Sequence, residues 1–176
     1  MIAALGERGL LGLYVPEEYG GQGLSQTGYC RVSEEFAQID ATLSVVMGVH
    51  QSIGMKGIVL FGTDDQKRRF LEPAIRGEKI AALGITEPGA GSDVAGIRTL
   101  ARRVDGGYVV NGSKTFITNG VRADFVVTAV KTTAEGGHHG LSFLILEREM
   151  EGYSVSKKLE KMGWHASDTG ELAFQD

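Results

Sequence analysis

The sequence predicts an α+β chain: an N-terminal helical domain over residues 1–79, then a β-barrel or sandwich domain over residues 80–176. Three observations carry that prediction. Before residue 80, apolar residues recur at three- and four-residue steps, the period of a helix face. After it, short β-prone runs alternate with Gly and Asn turn signals. Between the two lies Leu83-Gly-Ile-Thr-Glu-Pro-Gly-Ala-Gly-Ser-Asp93, an apolar strand running into a turn. Helices grouped first and strands grouped second give α+β order, not alternating βαβ units.

Ile2 to Leu11 has helical apolar spacing and ends at Gly9 and Gly12. Residues 12–23 hold too much Gly and Pro for a helix and read as a connector pinned by Leu13, Val15 and Tyr19. Ser25 is the expected N-cap of a helix over Gln26–Ile39, with Tyr29, Val32, Phe36 and Ile39 on one face. Glu34 and Glu35 fall off that face and read as solvated. Cys30, the single cysteine, excludes an internal disulfide and reads as a buried, inert thiol. Asp40 caps a third helix over Ala41–Leu60, apolar nearly all round and so expected to be buried. His50 inside it reads as a satisfied core histidine, because no second ligand stands four residues away. Thr63 or Asp64 caps a fourth helix, which points Phe70, Leu71 and Ile75 inward, exposes Lys67, Arg68 and Arg69, and ends at Arg76-Gly77.

From Ile80 the period changes. Strands are expected over Ile80–Thr86, Ile97–Val104, Tyr108–Asn111, Thr115–Thr118, Phe125–Lys131, Leu141–Leu146, Tyr153–Leu159 and Glu171–Phe174. Asp105-Gly106-Gly107 is a hairpin signal, and Asn111-Gly112 and Asn119-Gly120 read as further turns. The gap Thr132–Gly140 is polar and carries His138 and His139. Twenty-six glycines in 176 residues, about twice the usual ~7%, fit a chain of many turns.

Composition narrows the function. A net charge of −4 without a basic run argues against a general nucleic-acid binder. No metal-ligand spacing stands out, so no metal is expected. No apolar run is expected to reach the ~20 residues of a membrane span, and no signal-peptide layout opens the chain. In the central turn, Pro88 fixes φ, while Gly89 and Gly91 permit angles a β-carbon forbids. Two readings stand side by side: a tight glycine turn after a strand, or successive N–H groups forming an anion-binding concavity. Glu87 reads as a local hydrogen-bonding residue and not as a base.

Thr-Glu-Pro-Gly-Ala-Gly-Ser-Asp (86–93) resembles the signature of the acyl-CoA dehydrogenases. Asn111-Gly-Ser-Lys-Thr-Phe-Ile-Thr-Asn-Gly120 is similar to that family's second flavin-contact strand, and Lys161-Met-Gly-Trp-His-Ala-Ser-Asp-Thr169 resembles a further block. The blocks come in the family's order and the resemblance extends over essentially the whole chain. It implies FAD as cofactor. Carried over by matched position, Thr86 and Thr118 contact the flavin ring, with Gly91 in the same turn. Ser92 bonds the pyrophosphate and lines the acyl-CoA site. Leu83, Ile85 and Ile117 add backbone contacts. Phe116 stands where a tryptophan is common, keeping a ring against the flavin without the indole N–H. His138 and His139 are either exposed loop residues or contacts to the CoA end of the substrate. The 161–169 block reads as structural support for the β-domain through Asp168, with Trp164 a second candidate for lining the cofactor cleft. The first block lacks GxGxxG, so no Rossmann fold is expected.

The reaction implied is α,β-dehydrogenation of an acyl-CoA thioester: a carboxylate takes the α-proton and the β-hydride goes to the flavin. In the family that base comes from a C-terminal helical domain, which is absent from these 176 residues, so the catalytic residue is unknown and the isolated chain is expected to turn over poorly. The Phe116 context looks most like long-chain or branched-chain members. The resemblance also implies electron hand-off to an electron-transfer flavoprotein, a homo-oligomer, and a cytoplasmic or mitochondrial-matrix setting. The alternatives are an acyl-CoA oxidase or flavin monooxygenase-like relative, and a non-catalytic binding or assembly module.

Overall fold

The computed structural model describes residues 1–133 and 137–176. Residues 134–136, within the gap that carries the two histidines, lie outside the described residues. Packing divides the chain into two units: Met1–Ala82 with Lys161–Ser167, and Leu83–Glu160 with Asp168–Asp176.

The first unit is helical. It comprises α1 (Ile2–Gly6), α2 (Gln26–Ile39), α3 (Ala41–Gly48), α4 (Lys56–Phe61), α5 (Asp64–Gln66) and α6 (Glu72–Ile75). Wider π-helical turns, Val49–Gly54 and Lys67–Leu71, join α3 to α4 and α5 to α6. The caps are those the sequence offers: Ser25 accepts from Gly28 N–H, Asp40 from Thr42 N–H, and Thr63 forms a reciprocal capping box with Gln66. Leu5, Leu11, Leu13 and Met47 form a core under Tyr29, Val32 and Phe36 of α2.

Two expectations change here. Cys30 is exposed, because it points away from the Tyr29–Val32–Phe36 face that packs inward. The run Ala41–Phe61 is 21 residues long and, by length and composition alone, apolar enough to cross a membrane, a test that a core helix also passes. It is not buried all round, since Ile53, Leu60 and Phe61 are exposed. Its buried polar residues are nevertheless satisfied as in a core helix. His50 Nε2 donates to Ala74 O at 3.0 Å, and His50 Nδ1 accepts from Ala81 N–H at 3.0 Å. Gln51 accepts from Leu13 N–H at 2.9 Å and donates to Leu10 O at 3.1 Å. The Tyr14 hydroxyl donates to Gln51 O.

The second unit is built on one sheet, whose first strand begins two residues before the unit does. Its strands are β1 (Ala81–Gly84), β2 (Leu100–Val104), β3 (Gly107–Thr118), β4 (Phe125–Lys131), β5 (Leu141–Glu147), β6 (Tyr153–Lys158) and β7 (Thr169–Phe174). Their order is β1-β4-β2-β3-β7-β6, with β5 paired to β4. The sheet curls, because Thr115 N–H of β3 reaches Thr86 O, just beyond β1, at 2.9 Å. β1 and β6 end the strand order and do not pair with one another among the described residues, so the expected barrel is open. β4 is buried along six consecutive residues, Phe125–Val130, and forms the centre of the core.

Asn111-Gly112 is not a turn. β3 runs straight through it and changes partner there, pairing β2 up to Asn111 and β7 from Gly112. At Gly112, φ is 151° and a Cβ would stand 2.5 Å from Thr99 Oγ1, so the glycine serves close approach. The third sequence block is split. Asp168 braces the sheet unit, accepting from Val121 N–H at 2.9 Å and Arg122 Nε at 2.7 Å, whereas Lys161–Ser167 groups with the helical unit.

Candidate functional site

The site is assembled where the chain leaves β1. Glu87 and Ala90 close a four-residue turn through two backbone bonds, Glu87 N–H to Ala90 O at 2.8 Å and Ala90 N–H to Glu87 O at 3.2 Å. Pro88 and Gly89 form its exposed tip. This corrects the concavity reading in one respect. Neither Gly89 nor Gly91 adopts positive φ, and two of the turn's N–H groups are used internally. The glycines instead keep the surface bare: a Cβ at Gly89 would meet nothing within 4 Å, and one at Gly91 only Thr86 Cγ2, at 4.0 Å.

Beneath the turn lies a buried ion pair. Lys114 of β3 is fully buried, and its Nζ donates to Glu87 Oε1 at 2.8 Å and to Ile85 O at 3.0 Å. Glu87 also accepts from Thr99 Oγ1 at 2.6 Å, Thr99 N–H at 2.9 Å and Arg98 N–H at 2.6 Å. Burial opposes the Glu87 charge, but hydrogen bonds from Lys114, Thr99 and the Arg98 and Thr99 amides outweigh it and hold the carboxyl below its usual range. Burial pulls the Lys114 ammonium down, and the bond to Glu87 opposes that shift. The sequence reading gave Glu87 its local role but none to Lys114 or Thr99. The available signal was a lysine inside an otherwise β-prone run, a position that needs an acid partner if it faces inward.

One step beyond Lys114, β3 bulges. Its register against β7 breaks between Lys114 and Ile117, and Phe116 sits at φ +59° with its side chain 67% exposed. A bulky residue in the left-handed region is a genuine outlier, and bulges commonly re-aim side chains beside functional sites. Asn119, at φ +64°, ends the segment, its N–H bonded to Asp168 O.

The Thr115–Thr86 bond brings two groups of sequence-predicted residues together: Leu83, Ile85 and Thr86 from β1 and its exit, and Phe116, Ile117 and Thr118 from β3. Thr86 and Thr118 are half-buried, and the Ile117 side chain is in the core. Gly91 and Ser92 are exposed on the loop after the turn. His138 and His139 are exposed in the connection to β5. They stand two to three residues before Leu141, which packs on the small core of Ala90, Ile97 and Ala129. A cavity of about 260 Å³ opens at the turn, lined by Glu87, Gly89, Arg98, Thr99 and Gly112 among others. A second cavity, of about 310 Å³, lies toward the other end of β3 and β7, among Tyr108, Val110, Leu146, Met150, Tyr153 and Phe174. Among the described residues the Tyr153 hydroxyl is buried without a hydrogen-bond partner, and burial pushes its pKa up to about 12.

A flavin needs a flat apolar contact, hydrogen bonds at its polar edge, and an open path for its phosphates. An outward-turned Phe116 ring, the Thr86 and Thr118 hydroxyls and the bare glycine surface beside Ser92 fit that requirement.

Residues 1–78 match the family model described as acyl-CoA dehydrogenase, N-terminal domain, and residues 82–176 match that for the middle domain. An acyl-CoA dehydrogenase of Bacillus subtilis is 39% identical over 176 residues, all of this chain and 46% of the relative. A chain from a study of the electron transferring flavoprotein of Acidaminococcus fermentans and flavin-based electron bifurcation superposes with a TM-score of 0.95 at 40% identity, covering 99% of this chain and 46% of that one. An acyl-CoA dehydrogenase complexed with FAD from Bacillus anthracis gives a TM-score of 0.90 at 41% identity, over 99% and 30% of the two chains. The chain thus spans less than half the length of these relatives.

Proposed function

The chain belongs to the acyl-CoA dehydrogenase family, and from that premise we propose that it forms the FAD- and acyl-CoA-facing scaffold of an enzyme that dehydrogenates an acyl-CoA thioester to the trans-2-enoyl-CoA. The observation that carries this reading is Phe116, a strained, outward-turned ring at a bulge tied to Thr86. Strain of this kind persists where surrounding structure holds it for a purpose.

Phe116 offers the flavin ring a flat apolar face, and the Thr86 and Thr118 hydroxyls bond its polar edge. Leu83, Ile85 and Ile117 line the approach with backbone groups. Ser92, beside Gly91, bonds the pyrophosphate and faces the acyl-CoA, and His138 and His139 meet its CoA end. When bound, FAD accepts the electrons of the dehydrogenation. The α-proton goes to a carboxylate outside these 176 residues. The helical part, residues 1–79, and the sheet part, residues 80–176, act as separate domains, supported by the change of period at Ile80. Electrons pass on to an electron-transfer flavoprotein, and the full-length protein is a homo-oligomer acting on long-chain or branched-chain substrates.

The test is the visible spectrum of the purified full-length protein after desalting, followed by anaerobic addition of acyl-CoA. A flavin band that survives and then bleaches is the expected result. A colourless protein that takes up no added FAD refutes the reading. Stoichiometric oxygen consumption during turnover shifts it to an acyl-CoA oxidase.

A further inference from the structure

The bulge raises a mechanical question: what holds Phe116 in place? The β3–β7 ladder lapses between Lys114 and Ile117, so strand pairing does not fix the residues in between. Two links cross at that point to the exit of β1: Thr115 N–H to Thr86 O, and the Lys114 ammonium to Ile85 O and Glu87. Glu87 in turn holds both ends of the 88–97 loop. Its backbone closes the turn with Ala90, and its carboxylate receives the Arg98 and Thr99 amides where the chain returns toward β2. The two segments and the loop between them therefore meet at one carboxylate and one ammonium.

Such a pair is a poor way to gain stability. Desolvation offsets most of the attraction, and well-packed apolar residues of similar size commonly serve stability as well. What an ion pair supplies that apolar packing does not is direction. A carboxylate with four donors and an ammonium with two acceptors within 3.0 Å define one geometry.

We propose that Lys114 and Glu87 are positioning residues that fix Ile85–Thr86 and Phe116–Thr118 in the mutual arrangement that receives the flavin. The inference rests on the reading that these segments hold FAD. Neither side chain touches the flavin. Each acts through its neighbours in the chain, Glu87 through Thr86 and Lys114 through Thr115 and Phe116.

The experiment measures the FAD dissociation constant by fluorescence titration, and the visible circular dichroism at saturating FAD, in the full-length protein. The variants are the double substitution E87Q/K114M and the single E87D. The double variant removes both charges, so no unpaired ion is left buried. E87D keeps the charge but withdraws the carboxylate by one methylene, which covers the case in which the double variant does not fold. Expected are wild-type far-ultraviolet dichroism, FAD affinity at least tenfold weaker in the double variant and at least threefold weaker in E87D, and an altered flavin dichroism in both. A merely structural pair would shift the denaturation midpoint and leave the spectrum of bound flavin unchanged. Folded variants that bind FAD within twofold of wild type, with its dichroism, overturn the inference and leave the proposed function standing. A wild-type protein that binds no FAD overturns both.

Discussion

Replacing His50 by leucine tests how the apolar run Ala41–Phe61 is built into the helical unit. His50 is fully buried and stands between two backbone groups, donating from Nε2 to Ala74 O and accepting at Nδ1 from Ala81 N–H, each at 3.0 Å. Leucine fills much of the same volume but satisfies neither. Ala74 O keeps a second donor, Gly77 N–H at 3.0 Å, so Ala81 N–H is the group left without a partner; such a group costs about 1–3 kcal/mol, and H50L is expected to lose about that much. Glutamine places an amide nitrogen near the Nε2 position and keeps the Ala74 bond but not the Ala81 one, so H50Q is expected to lose about as much as H50L. With a denaturant slope of roughly 2 kcal/mol/M, a loss of about 2 kcal/mol moves the urea midpoint by about 1 M, read by circular dichroism at 222 nm. An H50L variant within about 0.5 kcal/mol of wild type, the range of an ordinary surface change, would refute the reasoning. So would an H50Q variant as stable as the wild type.

Three other substitutions probe the sheet unit. Y153F removes a buried hydroxyl that has no partner among the described residues while keeping the ring against Phe174, so its urea midpoint at pH 7 is expected to rise by the equivalent of about 1 kcal/mol. The folded pKa of Tyr153, about 12, lies above its ordinary value of 10.0, so the stability tied to its neutral form is complete below pH 10 and lost as pH rises through 12. The rise from 10.0 to about 12 corresponds to at most about 3 kcal/mol, less what solvent screens, and the fall in the midpoint across this window is expected to be smaller by that amount in Y153F. G112A drives a Cβ against Thr99 at φ 151° and is expected to cost about 1–3 kcal/mol in the same assay. D168A leaves Val121 N–H without its Asp168 acceptor and removes the one that Arg122 Nε uses; a loss of about 1–3 kcal/mol is expected, whereas none would show that Asp168 does not brace the sheet.

Much of this architecture was legible in the sequence because it is local. The caps Ser25, Asp40 and Thr63 act within three residues of themselves, and the 26–39 helix carries its period openly. What stayed hidden depends on residues far apart in the chain. The straight run of β3 through Asn111-Gly112 follows from Thr99 crowding Gly112 and from a new partner strand beginning at Thr169, and neither is visible in a dipeptide that ordinarily marks a turn. Lys114 looks like any strand lysine until Glu87, 27 positions earlier, comes within 2.8 Å. The glycines of the 86–93 block were expected for their backbone angles, yet Gly89 has ordinary φ and is surrounded by space. The exposure of Cys30 follows from which part of the α2 surface packs inward, which periodicity alone resolves only to the nearest face.

The change of partner at Gly112 also sets an order of events while the chain is being made. The first half of β3 closes a hairpin with β2 as soon as residues 100–111 have emerged. The second half, with Phe116 and Ile117, waits for Thr169–Phe174, whose residues pair with Gly112–Thr118 from more than fifty positions downstream. At a synthesis rate of roughly 5–20 residues per second, that edge stands unpaired for about 3–10 s. An exposed strand edge invites pairing with other chains. In a growing polypeptide, the segment proposed to receive the flavin therefore presents an open edge to chaperones and neighbouring chains until Thr169–Phe174 emerge.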